Sequence, residues 1–149
     1  MRRAKLGWML GIWAIVVVLT SSTVVTSKQF VRLAAQGPLQ VSEREFDSFW
    51  RKWWWLFVKG YHVLEFFLFT LLLGLFLHLQ RGLTVRRSLV WAAIGGIAFA
   101  ASDEWHQTFV PGRGGLVGDV LIDLVGVALA VGVLAVLWRR AETPGAGGP

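Results

Sequence analysis

The chain has 149 residues, so it forms one domain at most. Hydrophobic residues make up 55% of it and charged residues 16%, and long uncharged runs are typical of membrane proteins rather than soluble ones. The absence of cysteine excludes disulfides and thiolate metal sites. The net charge of +6 suits contact with anionic lipid, while the basic residues are too dispersed to indicate nucleic-acid binding.

The N-terminal segment is predicted to be the first membrane span. A short basic start precedes an uncharged run from Leu6 to Ser27, and about 20 residues suffice to cross the hydrocarbon. A secretory signal peptide is the alternative, because Thr20-Ser21-Ser22-Thr23 is small and polar. No clear A-x-A site follows, so we expect an uncleaved anchor with its basic start in the cytoplasm.

The next segment predicts an amphipathic helix before the second span. Ser42-Glu43-Arg44-Glu45 has the form of a capping box, so a helix should start there. Aromatic residues then recur at helical spacing, as in a helix that lies in the membrane interface. A helical extension packed on the bundle is the open alternative. The aromatic positions are Phe46, Phe49, Trp50, Trp53 and Phe57.

Three further apolar runs, 59–80, 88–108 and 116–138, complete an all-α integral membrane four-helix bundle. Residues 1–140 form the single domain, and the Gly/Pro/Ala-rich 141–149 is predicted to be a disordered tail. The short basic connections and the Arg139-Arg140 end fall on one side of four spans. We therefore expect both termini in the cytoplasm and the 102–115 stretch outside the cytoplasmic membrane.

This topology brings ionisable side chains from three spans to the outer face. Carboxylates at membrane depth are costly, and such residues are functional-site candidates by default. The second span contributes Lys59, His62 and Glu65; the third contributes Asp103, Glu104, His106 and Gln107; the fourth contributes Asp119 and Asp123.

Helical periodicity predicts how two of these spans pack. Small residues at four- and three-residue spacing share one face of the third span with Asp103 and Gln107, and a similar face of the fourth span carries Asp119 and Asp123. We expect the two faces to pack together, with Asp103 and Gln107 paired with the two aspartates. The small residues are Ala92, Gly96 and Ala100 on the third span and Gly126 and Ala130 on the fourth.

The polar cluster has a structural and a functional interpretation. In the structural one, Arg113 and Lys59 neutralise the acids and fix the helix packing. In the functional one, the cluster is a pocket open to the outer leaflet: Lys59, Arg113, His106, Asp119 and Asp123 bind substrate and its anionic head group. Its hypothetical catalytic residues are His62, Glu65, Asp103, Glu104 and Gln107, with His62, Glu65 and Glu104 as acid or base candidates.

A metal site is a weaker possibility. His62, Glu65, Glu104 and His106 could bind an ion, but the spacing of His62 and Glu65 matches only one arm of a helical carboxylate–histidine site. The sequence therefore assigns no metal ligands, and it leaves the cofactor unknown. Nucleophilic serine or cysteine motifs are absent.

At these residues the sequence resembles the VanZ-like family of small bacterial membrane proteins. The resemblance rests on Asp103-Glu104 with His106-Gln107, on Pro111-Gly112-Arg113, and on the two aspartates of the fourth span. Lys59, His62, Glu65-Phe66 and Ser21-Ser22 also match, over roughly Leu6 to Trp138. Gly114-Gly115 stands where members often have a hydroxyl residue, which removes any role assigned to that hydroxyl.

The resemblance implies a bacterial multi-span envelope protein, whose namesake is associated with resistance to the glycopeptide teicoplanin. It supplies no established biochemical activity. We expect the protein to bind or modify a lipid-linked or cell-wall component. Expected partners are membrane lipids and a lipid-linked cell-wall precursor or glycopeptide, with no nucleic acid. The alternatives are a non-enzymatic lipid- or partner-binding module and a proton-coupled transporter using Asp119 and Asp123, which would require an oligomer.

Overall fold

The computed structural model of the protein describes residues 4–24, 29, 31–32, 42–113 and 117–142. Within these ranges the fold is all-α, as predicted, with no strand. The helices are α1 (Ala4–Ser21), α2 (Glu43–Leu75), α3 (Val85–Gln107) and α4 (Val117–Glu142), and α2 ends in a π-helical turn, Phe76–Gln80. The buried core joins all four helices through Val17, Phe66, Ala100 and Val127.

Helix α2 corrects the prediction of a separate interfacial helix. It begins at Glu43, directly after Ser42, as the capping-box pattern predicts, although the Ser42 side chain makes no capping hydrogen bond. It then continues without a break into the second predicted span. Trp50 is only 7% exposed and its ring stacks on Phe46 and Phe57, so part of the aromatic face is turned inward. The segment is a helical extension, the alternative that the sequence left open.

Two of the described helices are long and apolar enough to cross a membrane: α2 with its π-helical turn, over Arg44–Gln80, and α4, over Gly118–Ala141. The apolar part of α1, Lys5–Ser21, is shorter. Helix α3 occupies 85–107, close to the predicted 88–108, and has charged residues at both ends. Helix α4 continues through Glu142, past the expected start of the tail, and 143–149 lie outside the described residues.

Small residues let the helices approach closely. The predicted face of α3 is confirmed, since Ala92, Gly96, Ala100, Asp103 and Gln107 are all buried. A Cβ added at Gly96 would collide with Thr70 of α2 and crowd Val127 of α4. At Gly126 it would collide with the backbone carbonyl of Val63 in α2.

The packing of the Asp123 face differs from the prediction. Gly126 places that face of α4 against the backbone of α2, rather than against the small-residue face of α3. The reason is steric. Because Gly126 has no side chain, the backbone of α2 can approach the backbone of α4 closely at this position. The acids of α4 are thereby directed toward Lys59 and His62.

Candidate functional site

The antiparallel run of the helices brings polar side chains to one end of the bundle. They come from the C-terminal end of α1, the middle of α2, the C-terminal end of α3 and the N-terminal part of α4. Burial of a polar group without a hydrogen-bond partner costs free energy, so the partners of each buried side chain indicate its role. The buried members are Ser21, His62, Glu65, Asp103, Glu104, Gln107 and Asp123.

Asp103 is held by two hydrogen bonds. Ser21 donates its hydroxyl to Oδ1 at 2.5 Å, and the Gln107 amide donates to Oδ2 at 2.7 Å. The predicted pairing of Asp103 and Gln107 with Asp119 and Asp123 is therefore wrong, because their hydrogen bonds go to each other and to α1. Asp103 ties α1 to α3, which is a structural role for a residue expected to be catalytic.

The two aspartates of α4 both face α2. Asp119 forms an ion pair with the Lys59 ammonium, with both side chains partly exposed. Asp123 is fully buried, and its Oδ1 lies 3.3 Å from Nδ1 of His62. One turn of α2 separates Lys59 from His62, and one turn of α4 separates Asp119 from Asp123, so the two pairs stack along the same helix contact.

Glu65 is anchored to α1. The Thr20 hydroxyl donates to Oε1 of Glu65 at 2.6 Å, and the Trp13 indole donates to the Glu65 backbone carbonyl at 3.0 Å. Glu65 is 2% exposed, so this carboxylate is both enclosed and oriented.

The remaining predicted residues lie at the outer edge of the cluster. His106 contacts the hydroxyl of Ser22 through Nε2 at 3.0 Å. Arg113 follows Gly112, whose φ of 84° favours glycine in the turn, and donates to the backbone carbonyl of Thr23 at 3.1 Å. The end of α1 is therefore fixed by both the α3 terminus and the loop after it.

A pocket of about 600 Å³ opens between α1 and α2 beside this cluster. Its walls are mostly apolar, with a polar strip of hydroxyl and ionisable groups. Of the predicted site residues, His62, Glu65 and Arg113 line it, whereas the others lie behind or beside it. The lining comprises Leu19, Thr20, Ser21, Thr23, Trp50, Trp54, Phe57, Val58, Tyr61, His62, Glu65 and Arg113.

Two groups of site residues carried no assigned role in the sequence interpretation. Thr20 and Ser21 enter the sequence interpretation only through the signal-peptide alternative and, for Ser21, the family resemblance, yet their hydroxyls hold Glu65 and Asp103. The sequence does contain an indication of this role, because hydroxyls near the end of a membrane span need hydrogen-bond partners. The aromatic wall from Trp50, Trp54 and Phe57 had an interfacial interpretation, and only the continuity of α2 brings it to the pocket.

Three residues from three helices lie close enough to share a ligand. His62, Glu104 and Asp123 each offer one donor atom, and these atoms lie within 4.8 Å of one another. The set differs from the one considered in the sequence, because Glu65 and His106 contact Thr20 and Ser22 instead. This triad, His62–Glu104–Asp123, lies directly behind the pocket that His62 lines.

The fold is thus an all-α bundle with two helices long and apolar enough to cross a membrane and an enclosed acidic, histidine-containing site at one end. A sequence model of the VanZ/LLP1 family matches residues 6–139. The chain therefore belongs to the VanZ/LLP1 family, and the match runs from Leu6 in α1 to Arg139 in α4. Comparisons with curated proteins and with solved structures gave no match.

Proposed function

We propose that the protein is an integral membrane protein of the bacterial envelope, with both termini in the cytoplasm, whose pocket binds a lipid-linked component of the membrane or cell wall. Helices α2 and α4 have the length and apolarity to span. Helix α1, with 18 residues, extends about 27 Å, close to the ~30 Å hydrocarbon core. Its contacts with Glu65, Asp103 and His106 favour a retained anchor over a removed signal peptide.

The pocket is the observation that carries this proposal. Its volume of about 600 Å³ falls within the ~300–1,000 Å³ of small-molecule sites. Aromatic rings of Trp50, Trp54 and Phe57 form an apolar wall, and Arg113 stands at its rim. An amphiphile matches both features, with its apolar part on the rings and an anionic head group on the guanidinium.

Arg113 is the cation best placed for that head group. Lys59, the other predicted cation, is paired with Asp119 and does not line the pocket. Arg113 donates through one nitrogen to the Thr23 carbonyl, and a guanidinium has five N–H donors in all. A phosphate or carboxylate can therefore bind without displacing the contact that positions the side chain.

A chemical modification of the bound molecule is the second candidate function. Glu65 favours it, because this buried carboxylate lines the pocket in an orientation fixed by the hydrogen bond from Thr20. Such a carboxylate is placed as a general acid or base. Turnover distinguishes the two functions: an enzyme converts many molecules of lipid extract per chain, whereas a binder retains a stoichiometric amount.

Reduced glycopeptide action follows if the bound molecule is a cell-wall precursor. Sequestering or altering that precursor at the outer face would lower the amount of target that teicoplanin meets. This link rests on the family's namesake and on the outer position proposed for the pocket.

The test compares Arg113→Gln with Arg51→Gln, which removes an equal charge from an exposed pair with Asp47 on α2. Wild-type protein and the Arg51 variant are expected to copurify with an anionic lipid and to raise teicoplanin tolerance in a susceptible host. The Arg113 variant should lose at least about 10-fold in lipid retained, equivalent to about 1.4 kcal/mol of binding. Equal retention by all three proteins would contradict the proposal.

A further inference from the structure

The triad His62–Glu104–Asp123 has the composition of a divalent metal site. Its residues come from α2, α3 and α4, so the arrangement depends on the tertiary fold and is not a local cluster of acids. All three are buried, at 7%, 4% and 0% exposed respectively. One imidazole and two carboxylates are ligands that zinc and other first-row divalent ions accept.

The hydrogen bonding of the cluster separates His62 and Asp123 from the neighbouring acids. Glu65 accepts from Thr20, Asp103 accepts from Ser21 and Gln107. By contrast, both carboxylate oxygens of Asp123 and Nδ1 of His62 are buried and make no hydrogen bond to the residues that the structure describes. A fully buried carboxylate in this condition is rare and points to a missing partner.

The geometry fits an ion between the side chains. Nδ1 of His62 and Oδ1 of Asp123 lie 3.3 Å apart, long for a charge-assisted hydrogen bond. Two donors on one tetrahedral zinc ion, at bond lengths of about 2.0–2.2 Å, lie about 3.3–3.6 Å from each other. The donor atom of Glu104 lies within 4.8 Å of both, so a shift of this side chain toward them would complete the set of ligands.

The charge of the triad also favours a cation over a simple ion pair. Two ionised carboxylates and a neutral imidazole carry −2, and protonation of His62 alone would leave −1 in a buried site. Negative charge in such surroundings is strongly unfavourable unless a proton or a cation neutralises it. A divalent ion brings the sum to zero while the imidazole stays neutral, the form that binds metals.

We propose that His62, Glu104 and Asp123 bind a divalent transition-metal ion, with zinc as the reference ion, behind the lipid pocket. Three protein ligands leave a coordination position open, as in metal sites that act on a bound molecule. Because His62 also lines the pocket, the ion would lie near whatever the pocket holds. Metal binding itself does not depend on the proposed lipid.

The experiment measures metal binding by the full-length protein in detergent, after treatment with a chelator. Wild type is expected to bind about one zinc ion per chain, to unfold at a higher temperature with zinc, and to give a visible absorption spectrum with cobalt. Calcium and magnesium at equal concentration should not displace zinc.

The matched variants are Glu104→Gln and Glu65→Gln, since both replace a buried glutamate by its isosteric amide. Glu104→Gln should weaken zinc binding at least about 10-fold, while Glu65→Gln should leave it unchanged. Asp123→Asn repeats the first test at a second ligand, with normal elution and helix content as the check on folding.

Three outcomes would overturn the proposal. They are a wild-type protein that binds no zinc or cobalt, wild-type zinc affinity in Glu104→Gln and Asp123→Asn, or a loss of zinc affinity in Glu65→Gln as large as that in Glu104→Gln. Failure of the lipid proposal is separate. Arg113→Gln should lose lipid and keep zinc, because Arg113 is not in the triad.

Discussion

The two halves of the bundle are stabilised by different interactions. In the apolar half, helices meet through glycines and alanines: Gly74 lies against Leu134, and Gly126 against the backbone of Val63. In the polar half, which holds the site, helices meet through paired side chains such as Ser21–Asp103 and Lys59–Asp119. One half depends on shape and the other on matched donors and acceptors.

The difference indicates which half carries function. In lipid, helix association rests on close packing, and the contacts at Gly74 and Gly126 supply it without an ionisable side chain. Buried carboxylates are not needed for that purpose and are costly at membrane depth. Their concentration in the polar half, beside the pocket, therefore points to a binding role. Substitutions in the two halves should affect stability and ligand binding differently.

The largest effect is expected at Gly126. In Gly126→Ala the added methyl would collide with the Val63 carbonyl, and neither backbone can move aside without separating α2 from α4. Overpacking of this kind is expected to destabilise by about 3 kcal/mol. The midpoint of thermal unfolding in detergent measures the loss, and zinc binding should fall as well, because the same contact brings His62 to Asp123.

Gly132→Ala is the matched control for this prediction. It lies on the same helix, and an added Cβ has nothing within 4 Å. Alanine favours helix over glycine by about 1 kcal/mol, so this variant should be as stable as wild type or more so. Equal destabilisation by both alanines would show that Gly126 does not set the approach of α2 and α4.

A smaller effect is expected in the polar half, at Ser21. Ser21→Ala removes a donor from the buried carboxylate of Asp103, and an unsatisfied buried acceptor costs about 1–3 kcal/mol. Ser22→Ala is the control, because the Ser22 hydroxyl is exposed and its loss should cost less than about 0.5 kcal/mol. Comparable unfolding midpoints for the two variants would contradict a stabilising role for the Ser21–Asp103 bond.

Much of the fold could be predicted from the sequence. Runs of apolar residues placed α3 and α4 within a few residues of their bounds, because hydrophobic length is a direct property of the chain. The start of α2 after Ser42 and the buried face of α3 through Gly96 and Asp103 also followed from local spacing. Each of these depends on neighbours in the same segment.

The partners across helices could not be predicted in the same way. Periodicity shows that Asp103 and Asp123 face inward, but several inward-facing donors were available to each. The choice depends on the relative rotation and height of the helices, which Gly126 sets by letting α4 approach α2. Asp123 consequently faces His62, and Asp103 faces Ser21. The position of the aromatic wall of the pocket likewise depends on whether α2 ends before the second span or continues into it.

The membrane topology can be tested with almost no change in stability. The protein has no cysteine, so Thr108→Cys places a single exposed thiol at the end of α3 beside the site. Ala141→Cys places one on an exposed position at the other end of the bundle, near the end of α4. Both substitutions are at the surface and should alter stability by less than about 0.5 kcal/mol.

An impermeant maleimide added to intact cells should label the Thr108→Cys variant. The Ala141→Cys variant should be labelled only after the membrane is permeabilised. The pattern follows from the basic residues that flank the inner ends of the spans. The reverse pattern would place the pocket in the cytoplasm, where a glycopeptide cannot reach it. The proposed link to teicoplanin would then fail, whereas zinc binding by the triad would be unaffected, because it depends only on the fold.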